Sequence, residues 1–182
     1  MNKLLSIKTR RPLLVFMVFL GLLSYSKAQQ VYEHQYLVKV GDQAPDFKVT
    51  LSDGSLFQLS QQRGKVVMLQ FTASWCSVCR KEMPHIEKDI WNQLKGQDFV
   101  LIGLDYKENK KRVIDFQQQM NITYPLAIDS SGSVFKQYAE EGAGVTRNVI
   151  IDKNGKIIYL TRLFKMEEFH AMKKRIFEEV GP

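Results

Sequence analysis

A near-continuous apolar run at residues 65–72 (KVVMLQFT) restricts the fold of this chain more than any other feature. A strand with apolar residues at successive positions is buried on both faces, as in the middle of a sheet that helices cover. Residues 77–94 follow closely, with apolar side chains on one helical stripe and Gly96 as a terminator. A buried strand that leads into an amphipathic helix predicts an α/β fold.

The same two patterns alternate along the rest of the chain. Helical spacing recurs at residues 108–120, 133–139 and 166–180, and strand patterns recur at residues 99–104, 125–128, 145–151 and 156–161. Asn154-Gly155, between the last two strands, favours a hairpin with a type I′ turn. Upstream, residues 47–51 and 56–59 flank a turn-forming SDGS segment. The order predicts a central mixed β-sheet flanked by helices on both faces, with an N-terminal β-hairpin extension.

The positive charge of the chain is concentrated at its N-terminus. The net charge is +7, and residues 1–28 contain no acidic residue. Five basic residues lie there: Lys3, Lys8, Arg10, Arg11 and Lys27. The uncharged stretch 12–26 has an apolar centre of 11 residues, which suits an export signal peptide better than a membrane span of about 20 residues. Small residues at Ser26 and Ala28 predict cleavage after residue 28; an uncleaved anchor formed by residues 12–26 is the alternative.

The remaining chain is almost balanced in charge. Residues 29–182 carry 21 basic and 19 acidic side chains, a net charge of +2, which removes the argument for a nucleic-acid partner. We therefore expect an exported, periplasmic protein with one globular domain at residues 41–182. Residues 29–40 fit either a linker or an edge strand.

The two cysteines of the chain, Cys76 and Cys79, lie at the junction between the buried strand and the amphipathic helix. Free backbone N–H groups and the helix dipole stabilise a thiolate at the first turn of a helix. We therefore expect Cys76 to be the exposed nucleophile and Cys79, one turn further in, to be the more buried resolving thiol.

The sequence gives less support to other roles for the cysteine pair. A structural zinc site needs four ligands, and the three histidines are scattered with no second cysteine pair, so no metal site is expected. Covalent haem attachment needs a histidine after the second cysteine, where the chain has Arg80. A structural disulfide remains open in an exported protein, although so short a loop constrains the unfolded chain little.

Three segments resemble the TlpA/ResA-type thiol–disulfide oxidoreductases of the thioredoxin-like superfamily. They are residues 41–47 (GDQAPDF), 71–84 (FTASWCSVCRKEMP) and 149–155 (VIIDKNG). The resemblance covers residues 41–182. It implies a thioredoxin-like fold and a redox disulfide between Cys76 and Cys79, with no cofactor. In this family, Cys76 would attack, Cys79 would resolve, and the protein would reduce other exported proteins.

The resemblance also assigns residues around the cysteines. Pro84 matches a proline that kinks the active-site helix. Glu82 matches a family acid that could relay a cysteine proton, with a solvated surface carboxylate as the alternative. Gln70 replaces the buried acid of thioredoxins proper, so any proton relay falls to Glu82 or to water. Trp75 would shield the cysteine pair, with plain core packing as the alternative.

Thr146 is the largest departure from the family pattern. The family has a cis-proline six residues before the hairpin Asp152, which presents a backbone edge to the bound partner. A cis bond before a non-proline residue costs ~2.5–4 kcal/mol. We therefore expect a trans Val145–Thr146 peptide and an altered partner-docking edge.

The family implies disulfide-bearing exported proteins as substrates, a membrane or periplasmic electron donor, and a monomer; cytochrome c maturation would fit. Two other functions remain open. A thiol peroxidase would place a proline and a threonine ahead of its cysteine, where this chain has Leu69 and Ala73. A non-enzymatic binding module would keep a permanent disulfide.

Overall fold

The computed structural model describes residues 32–181, which contain a seven-stranded sheet with the strand order β2-β1-β5-β4-β3-β6-β7. The strands are β1 (Lys48–Leu51), β2 (Leu56–Gln58), β3 (Val66–Thr72), β4 (Phe99–Tyr106), β5 (Leu126–Asp129), β6 (Arg147–Ile151) and β7 (Ile157–Arg162). The predicted mixed sheet is confirmed, because β3, β4 and β5 run parallel while the other neighbours pair antiparallel.

Strand β3 is central, and its position explains the apolar run in the sequence. It pairs with β4 along its full length, from Val66 opposite Phe99 to Thr72 opposite Asp105, and β6 lies on its other side. All seven of its residues are buried. The hairpin formed by β1 and β2 extends the far edge of the sheet through antiparallel pairing of β1 with β5.

Helices cover both faces of the sheet, but unequally. They are α1 (Ser77–Ile86), α2 (Asn92–Leu94), α3 (Lys110–Met120), α4 (Phe135–Tyr138) and α5 (Met166–Val180). A π-helical turn, Glu87–Trp91, joins α1 to α2, so the stripe predicted over residues 77–94 is one continuous helical segment. The apolar sides of α1, α3 and α5 share one core with one face of the sheet, whereas α4 and residues 36–47 pack on the opposite face.

Two local predictions differ from the structure. Helix α3 begins at Lys110, two residues later than predicted, because the Asn109 side chain caps it by accepting the Arg112 N–H at 3.0 Å. The turn between β6 and β7 is not type I′, because Gly155 is its one residue with a positive φ (87°). Asp152 accepts two backbone N–H groups across that turn, which stabilises the alternative geometry.

The predicted signal peptide (residues 1–28) and anchor (residues 12–26) lie outside the described residues. Residues 32–40 lie against the domain: a 3₁₀ turn at Glu33–Gln35 precedes a single bridge between Tyr36 and Ala139, and Tyr36 and Val38 are buried. No helix within residues 32–181 has the length and apolar character needed to cross a bilayer.

Candidate active site

The cysteine pair lies at the start of α1, directly after the central strand. β3 ends at Thr72, a turn closes with the Cys76 N–H on the Ala73 carbonyl at 3.0 Å, and Cys76 is the N-cap of α1. Cys76 and Cys79 form a disulfide, and the Cys79 N–H donates to Cys76 Sγ at 3.1 Å. A helix N–H aimed at this sulfur stabilises negative charge on it after reduction.

The two cysteines differ in exposure in the expected order. Cys79 is fully buried, whereas Cys76 is 7% exposed. Both cysteines are thus buried, and the small accessible surface of the pair belongs to Cys76. Trp75 is 64% exposed, so it lies beside the pair at the surface and not in the core.

Thr146 contacts both sulfurs. Its Oγ1 lies 3.1 Å from Cys76 Sγ and 3.3 Å from Cys79 Sγ. Disulfide sulfurs carry no proton, so the threonine hydroxyl is the donor in both contacts. The Val145–Thr146 peptide is trans, as predicted. The Thr146 carbonyl accepts the Leu163 N–H at 3.1 Å, which ties this loop to the end of β7.

A buried arginine, which the sequence reasoning missed, fixes the loop that carries Thr146. Arg147 is fully buried and donates from Nε to the Gly144 carbonyl at 2.9 Å and from Nη2 to the His34 carbonyl at 2.7 Å. Its guanidinium also stacks on the Tyr36 ring, 4.5 Å from the ring centroid. His34 and Tyr36, which precede the domain, therefore support the loop that carries Thr146.

Glu82 lies inside the protein, on the side of α1 that faces the sheet. It is 2% exposed, so the alternative of a solvated surface carboxylate is wrong. Asn148 Nδ2 donates to Glu82 Oε1 at 2.7 Å, and Gln70 Nε2 lies 3.4 Å from Oε2. Burial raises the pKa of Glu82 to about 7, although the hydrogen bonds from Asn148 and Gln70 oppose that shift. Glu82 can therefore gain or lose a proton near neutral pH.

The polar residues around Glu82 form a hydrogen-bond network that joins the neighbouring strands β3, β6 and β7. Tyr124 donates its hydroxyl to Gln70 Oε1 at 2.7 Å, and Asn148 Nδ2 also donates to Thr161 Oγ1 at 2.9 Å. Sequence reasoning singled out Gln70 and missed the other three. A weak signal was present for Asn148, because it directly precedes the apolar residues 149–151 of the same strand.

Pro84 lies within α1, on its exposed side. A proline at this position has no N–H to donate to the Arg80 carbonyl, which loosens the helix one turn beyond Cys79. The π-helical turn Glu87–Trp91 begins three residues later. Cys76, Cys79, Glu82 and Pro84 thus share one helix, and Thr146 reaches the cysteines from the loop before β6.

Comparison with known proteins agrees with this geometry. The Redoxin family profile matches residues 39–176. Thiol-disulfide oxidoreductase ResA from Bacillus thuringiensis subsp. konkukian is 30% identical over 145 residues, which cover 80% of this chain and 82% of that protein. ResA from Bacillus subtilis is 24% identical over 144 residues, or 79% of each chain.

Solved structures give the same assignment. A candidate protein disulfide isomerase from Bacteroides thetaiotaomicron superposes with a TM-score of 0.78 and 53% identity, covering 80% of this chain and 92% of that one. A candidate thiol:disulfide interchange protein DsbE from Chlorobium tepidum has a TM-score of 0.71 and 27% identity, over 79% and 99% of the two chains. The chain therefore belongs to the Redoxin family and, within it, to the TlpA/ResA-type thiol–disulfide oxidoreductases of thioredoxin-like fold.

Proposed function

We propose that this oxidoreductase is exported and reduces disulfides of other exported proteins, with Cys76 as the attacking thiol and Cys79 as the resolving thiol. The observation that carries the assignment of roles is the difference in exposure between the two cysteines. Cys76 accepts a helix N–H and is 7% exposed, whereas Cys79 is fully buried. Only the accessible sulfur can meet a disulfide of a folded partner.

The proposed reaction has two exchanges. The Cys76 thiolate attacks one sulfur of the partner, which breaks the partner's S–S bond and forms a mixed disulfide. Cys79 then attacks Cys76 Sγ, which restores the Cys76–Cys79 disulfide and releases the second partner thiol. Two electrons and two protons pass from the enzyme dithiol to the partner.

Glu82 would take part in the second exchange. It lies one turn beyond Cys79 in the same helix, and its pKa is raised to about 7 by burial. A buried carboxylate with a pKa near the working pH is suited to accept the Cys79 proton. The network of Gln70 and Asn148 would hold its oxygens in place during that transfer.

The N-terminal sequence supports export, and an exported location in turn limits the electron donors that the protein can use. The basic residues and apolar stretch of residues 1–28 support translocation, and a reductant outside the cytoplasm then requires a membrane or periplasmic electron donor. N-terminal sequencing of the full chain expressed in a Gram-negative host tests this. A periplasmic product that starts at Gln29 supports cleavage, a membrane-bound product that starts at Met1 supports the anchor, and a soluble cytoplasmic product refutes export.

A trapping experiment tests the redox assignment. Cys79→Ala should accumulate mixed disulfides through Cys76, because the resolving step is lost, and the matched variant Cys76→Ala should trap nothing. The wild-type chain should also reduce insulin with a dithiol donor. Failure of both tests would refute the proposal; peroxide consumption with a thiol donor would then favour the peroxidase, and a disulfide that resists reduction would favour the binding module.

A further inference from the structure

Hydrogen bonds at Ser74, two residues before Cys76, hold the turn between β3 and α1 in place. The Ser74 N–H donates to Glu108 Oε2 at 2.8 Å, and its hydroxyl donates to Glu108 Oε1 at 2.6 Å. Its carbonyl accepts from Arg80 Nε at 2.7 Å. All three polar groups of Ser74 are therefore bonded, two of them to one carboxylate that is distant in sequence.

A second carboxyl group, Asp105, affects the charge of Glu108. Asp105, at the end of β4, is fully buried, and its carboxyl oxygens have no hydrogen-bond partner among the described residues. Glu108 is also buried. Burial of a carboxyl group without a partner disfavours its charged form.

The pKa values of the two carboxyl groups shift in opposite directions. Burial, followed by the effect of Glu108, raises the pKa of Asp105 to about 9. Burial alone would raise the pKa of Glu108 as well, but the effects of Asp105, of Ser74 and of the exposed Arg112, 3.7 Å away, outweigh it and lower that pKa. A lowered pKa favours the Glu108 carboxylate, the form that accepts both donors of Ser74.

We propose that Glu108 is a positioning residue for thiol–disulfide exchange: it holds Ser74 through two hydrogen bonds and thereby keeps Cys76 at the N-terminus of α1. The inference rests on the proposed role of Cys76 as the attacking thiol. Cys76 Sγ benefits from the Cys79 N–H only while the turn keeps the two atoms 3.1 Å apart. Glu108 never touches the reacting sulfur and acts through the backbone of residues 74–76.

Two effects of removing Glu108 have opposite signs, which makes the proposal testable. Loss of a nearby negative charge would lower the pKa of Cys76, because it removes repulsion of the thiolate. Loss of the clamp would raise the pKa of Cys76, because the thiolate leaves the helix N–H. The direction of the shift therefore separates positioning from a charge effect, and a purely structural role would leave the pKa of Cys76 in the folded protein unchanged.

The experiment measures the pH dependence of Cys76 alkylation by iodoacetamide in the full-length chain carrying Cys79→Ala. We expect Glu108→Ala to raise the pKa of Cys76 and to slow alkylation at pH 7 by about fivefold, the equivalent of one ordinary hydrogen bond. Ser74→Ala should give a smaller change of the same sign, and it should add little to Glu108→Ala, because both remove the same contact. An unchanged or lowered pKa of Cys76 in Glu108→Ala would overturn the proposal.

A control variant separates loss of the Ser74 contact from loss of a surface charge. Glu141→Ala removes an exposed carboxylate that pairs with Lys107 and Lys136, and its alkylation profile should match that of the parent. If Glu108→Ala does not fold, the alkylation profile of Ser74→Ala decides the question, because Ser74 forms the other half of the contact. Alkylation of Cys76 needs no partner protein. The positioning role of Glu108 can therefore be refuted or supported independently of whether the trapping experiment captures a partner.

Discussion

At the scale of single residues, Thr146 defines the chemistry next to the disulfide. A proline at this position, as in the family pattern, could offer the sulfurs no hydroxyl, whereas Thr146 Oγ1 lies within 3.3 Å of both. A hydroxyl at this distance can donate to the Cys76 thiolate once the disulfide is reduced, and hydrogen bonds to charged groups are the stronger kind.

Thr146→Val should therefore raise the pKa of Cys76 and slow its alkylation at pH 7 by about tenfold, since the substitution removes the donor and keeps the branched shape. The measurement is the pH profile of alkylation in the chain with Cys79→Ala. Thr50→Val, at an exposed position of β1, serves as the control for a threonine outside the active site. Equal profiles for Thr146→Val and its parent would show that the hydroxyl does not stabilise the thiolate.

Glu82 makes the stability of the fold depend on pH. Its pKa is raised to about 7 in the folded protein, above the ordinary value of 4.5 that the unfolded chain retains. The folded state therefore binds the extra proton between these values. The contribution is complete below pH 4.5 and is lost as the pH rises to about 7, a decrease of about 3 kcal/mol.

We expect Glu82→Gln to reduce the slope of this part of the profile, because glutamine does not titrate; the slope that remains belongs to other groups with a raised pKa, such as Asp105. Urea unfolding at several pH values between 4.5 and 8 gives the free energy of unfolding for each variant. Glu178→Gln, at an exposed site on α5, should keep the slope of the wild-type chain. A wild-type slope in Glu82→Gln would place the titrating group elsewhere.

At the scale of elements, strand β4 requires a glycine where it faces the Glu82 network. Gly103 pairs with Gln70 of β3 and with Leu126 of β5. A Cβ built on Gly103 would collide with Leu126 Cδ2 and would lie 3.5 Å from the Tyr124 ring. Glycine inside a strand marks such a close approach.

Gly103→Ala should lower the free energy of unfolding by about 1–3 kcal/mol, as overpacking of a core does. Its effect should be less than additive with Leu126→Ala, because the second substitution removes the atom that collides. Urea unfolding of the two single variants and the double variant completes the cycle. Additive effects would mean that the strain lies outside this contact.

At the scale of the whole molecule, the exposed large apolar side chains within residues 32–181 are few. They are Val40, Leu56, Trp75, Leu163 and Met166. Together with a near-balanced charge outside the first 28 residues, this surface gives little reason for self-association.

We therefore expect the domain to be monomeric. Sedimentation equilibrium of the exported form over a range of concentrations should give the mass of a single chain, and Trp75→Ala should not change it. A mass that rises with concentration and falls in Trp75→Ala would show that the surface beside the disulfide pairs two copies.

The sequence by itself determined the elements and the chemistry of this protein. Strand and helix periods, the turn-forming segments and the Cys76/Cys79 spacing are local patterns, and they predicted the mixed sheet, the covering helices and the redox pair. Predictions from local patterns were wrong where a polar side chain forms a hydrogen bond with nearby backbone N–H groups. Helix α3 starts late because Asn109 caps it, and the β6–β7 turn is set by Asp152.

Only the tertiary structure decided which polar residues serve the cysteines. The contacts of Glu82 with Asn148, of Thr146 with Cys76 and of Glu108 with Ser74 join residues 66, 70 and 34 positions apart. Such contacts depend on strand register and on the packing of α1 against the sheet, and no local pattern specifies either. The thiol pair is therefore evident from the sequence, while the polar side chains that surround it, and to which we assign its protons and its position, are brought together by long-range packing.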